Sequence, residues 1–190
     1  MAKRQKQNSD VVVVGSSNTD LVIESAKLPE PGMTVLGGKY QIVSGGKGAN
    51  QAVAAARTGA QVIFVANIGC DDFGDDAMAR LDREGIGTKF VVRDQNAPSG
   101  VAFIMVGDKG RNLIIGAASS NDCLSIEHIE RAKSAFANAK YCLIQLEIPQ
   151  PAVRAALSLS KSQGVFNILD PAPCRRLSKS LLQLVDIITP

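Results

Sequence analysis

A glycine-rich turn that leads into a helix-forming stretch is the part of the sequence best suited to bind a ligand. It reads S-G-G-K-G-A-N-Q over residues 44–51. Glycines let the backbone approach a ligand closely, and the helix predicted over 49–58 points unpaired amide groups at the turn. Lys47 adds a positive charge and Asn50 an amide that both donates and accepts. The turn therefore suits a small polyhydroxylated or anionic molecule; the alternative is a tight turn with a purely structural role.

Two common phosphate-binding motifs do not fit this turn. A P-loop has the form G-x-x-x-x-G-K-[ST], but Gln41 stands at the first glycine position and Gly48 at the Ser/Thr position. The dinucleotide fingerprint fails at Gln51, where a glycine or alanine belongs. The turn is therefore predicted to bind a ligand in another way.

Asn18 and Asp20 form a second candidate site. The run V-V-V-V over 11–14 is β-branched throughout, which predicts a strand buried on both faces of a parallel sheet. Side chains that follow the carboxyl end of such a strand face the crevice where open α/β sheets bind ligands. An amide and a carboxylate two residues apart can bind vicinal hydroxyls. An ordinary turn held by side-chain hydrogen bonds is the competing interpretation.

Length and composition favour a single α/β domain. The chain has 190 residues, of which 45% are hydrophobic and only 4% aromatic, and its net charge is +3. This charge is too balanced to indicate nucleic acid or a membrane surface as a partner. Residues 1–10 are predicted to be a mobile tail and 11–190 one domain.

The domain is expected to alternate strands with helices, which predicts a mostly parallel sheet with helices packed against it. Strands are predicted at 62–67, 89–92, 141–145, 166–169 and 184–189, and helices at 71–84, 125–137, 149–163 and 178–184. Short strands at 21–24 and 34–43, with a hairpin at 100–115, interrupt this alternation.

Cysteine and histidine usage argues against a metal site or a disulfide framework. The single histidine, His128, and the four cysteines are scattered without a C-x-x-C pair. The acidic residues in the first turn of the helix at 71–84 are interpreted as complementing the helix dipole. No signal peptide or apolar run long enough to span a membrane is apparent. A cytoplasmic protein with reduced thiols is therefore expected.

Eight segments of the chain resemble the ribokinase family of carbohydrate kinases, which also includes fructokinases and adenosine kinase. They are V-V-V-V-G-S-S-N-T-D (11–20), L-P-E-P-G-M-T-V (28–35), S-G-G-K-G-A-N-Q-A-V-A-A-A-R (44–57), N-I-G-C-D-D-F-G (67–74), S-G-V-A-F-I (99–104), Q-L-E (145–147), P-A-P (171–173) and V-D-I-I-T-P (185–190). Their spacing is gapless and they cover nearly everything after the first ten residues. The resemblance is therefore far more specific than any single motif.

The resemblance implies a fold and an activity. The fold would be a three-layer α/β/α, Rossmann-like arrangement whose sheet is mostly parallel, with the C-terminal part absent. Segments 21–24, 34–43 and 100–115 would form a small β lid over the sugar, and two lids would clasp in a homodimer. The activity would be ATP-dependent phosphorylation of the 5-hydroxyl of D-ribose, with Mg²⁺ and K⁺ as further cofactors.

The family pattern also assigns substrate-binding residues. Sugar hydroxyls would be bound by Asn18, Asp20, Gly46, Lys47, Asn50 and Glu147. The carbon face of the sugar would contact Ala102 and Ile104 on the lid hairpin. Glu147 has an alternative interpretation, a residue at the start of the helix at 149–163.

Part of the family pattern is missing from the sequence. No Gly-Ala-Gly-Asp occurs in it, and the family's catalytic aspartate, anion hole and nucleotide site would lie beyond Pro190, so no catalytic residue or metal ligand is assigned in this chain. The sequence also departs from the family pattern at two places. Residues 119–121 are Ser-Ser-Asn where the family has Gly-Ala-Asn, and residue 170 is an aspartate where the family has an asparagine. There are two alternatives to ribokinase activity. The chain could be a non-catalytic fragment that binds a sugar or dimerises, or a sibling kinase for fructose or a deoxy sugar acid.

Overall fold

The computed structural model describes residues 9–190, and these form two sheets with helices around the larger one. The strands are β1 (Val11–Val14), β2 (Asn18–Glu24), β3 (Lys39–Gly45), β4 (Val62–Gly69), β5 (Gly87–Asp94), β6 (Gly100–Val106), β7 (Asn112–Ala117), β8 (Tyr141–Ile144), β9 (Phe166–Leu169) and β10 (Ile187–Ile188). The helices are α1 (Lys47–Arg57), α2 (Asp72–Arg83), α3 (Ile126–Arg131), α4 (Lys133–Phe136), α5 (Gln150–Ser162) and α6 (Lys179–Leu182).

The larger sheet has six strands in the order β10-β9-β8-β1-β4-β5, and every pair is parallel. Helices cover both faces of this sheet. Successive side chains of a strand point to opposite faces, so an apolar strand such as β1 has side chains to bury on each. Val12 and Val14 pack in the core cluster that includes α5, whereas Val11 and Val13 pack in the cluster that includes α1. The predicted three-layer α/β/α arrangement is confirmed.

The smaller sheet contains the strands expected for the lid, in the order β3-β2-β6-β7. β2 and β6 are parallel, and the outer pairs are antiparallel. The strand predicted over 34–43 begins only at Lys39. Gly37 and Gly38 precede it with φ of 95° and 108°, a conformation that interrupts an extended strand.

Further boundaries differ from the sequence prediction, and the strand predicted over 21–24 begins at Asn18, which places Asn18 and Asp20 on a strand. The helix expected over 125–137 is divided into α3 and α4 at Ala132, and the terminal strand is only two residues long. The tail was expected to include residue 10, but Ser9 is buried and its hydroxyl donates to the Ala135 carbonyl at 3.0 Å. The rest of the predicted tail, residues 1–8, lies outside the described part of the chain. None of the helices described is long and apolar enough to cross a membrane.

Candidate functional site

The candidate site lies where the carboxyl ends of β1 and β8 meet the start of β2 and of α1. Residue Gly46 precedes α1 with φ of 90°, and a Cβ atom added there would lie 2.7 Å from the backbone nitrogen of Asn18. Only glycine combines this conformation with so close an approach. The glycine turn is therefore packed directly against the segment that bears the second candidate site.

Glu147, just beyond β8, binds both neighbouring segments through one carboxylate oxygen. Its Oε2 accepts a hydrogen bond from the Ser16 hydroxyl at 2.6 Å and from the backbone amide of Lys47 at 2.9 Å. An anion at the N-terminus of a helix is stabilised by the helix dipole and by unpaired amides. Within residues 9–190 no hydrogen bond involves its other oxygen, Oε1, which leaves that oxygen for a ligand.

Asp20 lies on β2 beside the same turn. A Cβ atom added to Gly45 would lie 2.4 Å from each of its carboxylate oxygens, so this glycine makes room for the carboxylate. Partial burial, and secondarily the negative charge of Glu147, raise the pKa of Asp20. The two carboxyl groups are therefore close enough to interact electrostatically.

Ala102 and Ile104 lie on the face of the lid sheet that bears Asp20. Ala102 pairs with Asp20 and Ile104 with Val22 in the parallel register of β2 and β6. Paired residues project to the same side of a sheet. The apolar residues expected to contact the sugar are thus on the same side of the lid as the expected sugar-binding carboxylate.

The predicted residues do not all line one cavity. A cavity of about 210 Å³ is bordered by Asn18, Val101, Gly116, Ala117, Ala118, Asn121, Asp122, Glu147, Pro173 and Arg175. Asn50 is exposed on α1 and borders a separate small crevice with Ser44 and Arg80. Of the eight residues expected to bind the sugar, only Asn18 and Glu147 border the larger cavity.

Two features near the site were not predicted as functional. Asn121, buried in a short 3₁₀ helix over Ser119–Cys123, makes hydrogen bonds to the backbone of Ser17 and to the side chain of Asn18. Gln145, also buried, donates to the side-chain carbonyl of Gln51 on α1. These contacts join segments about 100 residues apart, and no local sequence pattern reports them.

The two departures from the family pattern have different local environments. Ser119 has a positive φ of 50°, which is unusual for a residue with a side chain. Asp170, at the end of β9, accepts a hydrogen bond from the backbone amide of Ala172 at 3.0 Å. This bond occupies one of its oxygens, and Asp170 is not among the residues that border the cavity.

Among residues 9–190, no group of three or more His, Cys, Asp or Glu side chains could hold a metal ion. All four cysteines are free.

Comparison with known proteins gives a consistent result. The sequence model described as pfkB family carbohydrate kinase matches residues 8–190. The chain is 42% identical over 180 residues to the ribokinase of Haemophilus influenzae, covering 95% of this chain and 59% of that protein. It is 39% identical over 170 residues to the ribokinase of Mus musculus, covering 90% and 53%.

Solved structures show the same similarity. The structure of Arabidopsis thaliana ribokinase complexed with ribose and ATP superimposes with a TM-score of 0.84 at 32% identity, covering 96% of this chain and 60% of that one. The chain thus spans between 53% and 60% of the length of these three relatives.

Proposed function

The chain belongs to the pfkB family of carbohydrate kinases, and we propose that it supplies the sugar-binding part of a ribokinase. The reaction of the whole protein would be ATP-dependent phosphorylation of the 5-hydroxyl of D-ribose. Two observations support ribose and ATP as substrates: two relatives at 42% and 39% identity are ribokinases, and a similar solved ribokinase was complexed with both molecules.

The observation that carries the proposal is the position of Glu147. Its Oε2 accepts from Ser16 and from the amide of Lys47, no hydrogen bond within residues 9–190 involves its Oε1, and Glu147 borders the cavity together with Asn18. Carboxylate oxygens accept hydrogen bonds from sugar hydroxyls. A sugar that lacks one of these hydroxyls would leave a polar group unpaired, which is the physical source of specificity.

The other predicted residues have supporting roles in the proposal. Asp20 would accept from a second hydroxyl and Lys47 would add a donor from α1. Asn50 would add another donor once its side chain turns away from the crevice that it borders with Ser44 and Arg80. Gly46 would let the backbone approach the sugar. Ala102 and Ile104 would cover the carbon face of the sugar, so that closing the lid excludes water before phosphoryl transfer.

ATP, Mg²⁺ and K⁺ are part of the proposal as cofactors. Phosphoryl transfer depends on positioning the reactants and on neutralising the charge that develops. Mg²⁺ supplies such neutralisation when it is bound. The eight residues named above are proposed to bind the sugar. None of the described residues is proposed as the catalytic base or as a metal ligand.

A homodimer through the lid is proposed as the assembly. The face of the lid opposite Asp20 and Ala102 bears large apolar side chains that are exposed, namely Ile23, Tyr40, Ile42, Phe103, Leu113 and Ile115. Apolar patches of this kind mark association surfaces. Light scattering should give a dimer for the wild type and a monomer for Tyr40→Glu combined with Ile115→Glu; an unchanged mass would refute this assembly.

A cytoplasmic location is also proposed. The four cysteines are free, which is usual in a reducing compartment.

Calorimetry with D-ribose, followed by an assay of ribose-dependent ADP release with Mg²⁺ and K⁺, tests the function. Binding of ribose that is lost in Asp20→Ala and Lys47→Ala supports the sugar site, and ADP release supports a kinase. Binding without ADP release would favour the non-catalytic alternative. Preference for fructose would favour a sibling kinase, and absence of binding by folded protein would refute the sugar site.

A further inference from the structure

The side chain of Asn121 has four hydrogen-bond partner atoms, and together they fix its orientation. Its Oδ1 accepts from the backbone amide of Ser17 at 2.9 Å. The two hydrogens of its Nδ2 are shared among three acceptors, Oδ1 of Asn18 at 2.8 Å and the carbonyls of Ala118 at 3.0 Å and Ser17 at 3.2 Å. The side chain is 1% exposed, so water does not compete for these bonds.

The chemistry of these partners determines which atom is Oδ1 and which is Nδ2 in the side-chain amides of Asn121 and Asn18. A backbone N–H can only donate, so the atom of Asn121 that faces Ser17 N must be its oxygen. The opposite atom is then the NH₂ group, as the two carbonyls near it also require. Because this group is a donor, Asn18 must face it with Oδ1, and its own NH₂ group is directed elsewhere.

Packing keeps the two amides together. A Cβ atom added to Gly100, at the start of β6, would lie 2.3 Å from both Nδ2 of Asn121 and Oδ1 of Asn18. The pair therefore occupies the space that a side chain at residue 100 would fill. Asn18 also borders the 210 Å³ cavity, and within residues 9–190 its Nδ2 makes no hydrogen bond.

We infer that Asn121 is a positioning residue that makes Asn18 a hydrogen-bond donor to the ligand. The ligand hydroxyl that contacts Asn18 must accept, while a hydroxyl that contacts the free Oε1 of Glu147 must donate. The site thus distinguishes hydroxyls by direction as well as by position. This inference deepens the proposed function, and it rests on that function for the identity of the ligand as a sugar.

Hydrogen exchange of the side-chain NH₂ groups, followed by NMR of the whole chain, tests the orientation without any sugar. The NH₂ protons of Asn121 should exchange slowly, since they are buried and bonded, and those of Asn18 should exchange quickly. Adding D-ribose should slow the exchange at Asn18 by about tenfold or more, as a net hydrogen bond of ~1.4 kcal/mol would. Slow exchange at Asn18 with fast exchange at Asn121, in the free protein, would overturn the inference.

Asn121→Asp tests the consequence for sugar recognition. The aspartate keeps an acceptor for Ser17 N but replaces the donor that faces Asn18, so Asn18 should turn its NH₂ group inward and its oxygen to the cavity. The probes are monodeoxy and deoxyfluoro analogues of ribose, because fluorine accepts weakly and cannot donate. At the position that Asn18 contacts, the wild type should bind the fluoro analogue better than the deoxy analogue, and Asn121→Asp should lose that preference.

Asn167→Asp is the matched control, since Asn167 is also a buried amide whose Nδ2 donates to two backbone carbonyls, those of Leu157 and Leu184. It should lower the melting temperature while keeping the preference between analogues. An unchanged preference in folded Asn121→Asp would overturn the inference. If Asn121→Asp does not fold, the exchange measurement on the wild type still decides.

Failure of the inference and failure of the proposed function give different results. If the free protein shows the expected exchange rates and no pentose changes them, ribose is refuted as the ligand and the orientation of Asn18 stays established. Ribose binding with the opposite exchange pattern would support the function and refute the positioning role of Asn121.

Discussion

The carboxylate of Glu147 accepts a hydrogen bond from the backbone amide of Lys47 at 2.9 Å, although the two residues are 100 positions apart in the chain. The same oxygen accepts from Ser16 at 2.6 Å. One side chain thus joins the end of β8, the start of α1 and the segment that follows β1. The positions of Asn18 and of the glycine turn relative to each other depend on this carboxylate.

Glu147→Gln should weaken ribose binding. The amide replaces one oxygen by a donor and removes the negative charge at the start of α1. Hydrogen bonds to charged groups contribute about 1.5–3 kcal/mol, so the affinity should fall roughly 10- to 100-fold. Calorimetry measures the affinity, with Glu127→Gln as the control because Glu127 is exposed and forms an ion pair with Arg131 on the same helix. Equal affinities for the two variants would contradict the role of Glu147.

The stability of the wild type relative to Asp20→Asn should decrease as the pH rises. Partial burial and then the charge of Glu147 raise the folded-state pKa of Asp20 above 3.8. The folded state therefore binds the proton more tightly than the unfolded state, and the wild type loses free energy of unfolding as the pH rises from 3.8 to the raised pKa. Urea denaturation at a series of pH values measures the difference.

Asp71→Asn provides a control of opposite sign. Burial acts to raise the pKa of Asp71, but hydrogen bonds from the hydroxyl and amide of Ser99 and from the amide of Gly74 outweigh it and lower the pKa. Its contribution to stability is present above 3.8 and is lost as the pH falls through the folded-state pKa. If both variants followed the same trend with pH, the account of Asp20 would be wrong.

Gly46→Ala should remove ribose binding, whereas Gly59→Ala should not. Both glycines have positive φ, 90° and 95°, so alanine is strained at either position by about 1–2 kcal/mol. A Cβ at Gly46 would also collide with Asn18 N and with the Cα of Ser17, while at Gly59 nothing lies within 4 Å. Thermal denaturation and calorimetry together separate the two effects. Retained binding in Gly46→Ala would show that close approach at this turn is not required.

Ser119→Gly should stabilise the protein. Ser119 has a φ of 50°, which glycine adopts without steric strain. Relief of strain is partly offset by the greater entropy of glycine in the unfolded chain, so a gain of roughly 0.5–1 kcal/mol is expected. Ser134→Gly on α4 should instead destabilise, because glycine is unfavourable inside a helix. A loss of stability in Ser119→Gly, measured by urea denaturation, would contradict this account.

The alternation of strands and helices could be predicted from the sequence because it is a local property. The β-branched run at Val11–Val14 indicated a strand buried on both faces, and the valines do pack alternately on the two sides of the sheet. The turn at Gly46 could be located because glycine followed by a helix-forming stretch is itself a local signal. The resemblance to a family added the residues expected to bind a sugar, including Glu147, which no local pattern connects to that turn.

The boundaries and the hydrogen bonds between distant segments could not be predicted in the same way. The strand expected from residue 34 begins at Lys39, because the backbone conformation of two glycines interrupts it. The direction in which Asn18 presents its amide depends on Asn121, and the space for that pair depends on Gly100. Sequence determined which groups are available, through residue type and local periodicity. The tertiary structure decided which of these groups meet and which of them donates or accepts each hydrogen bond, because those contacts join segments about 100 residues apart.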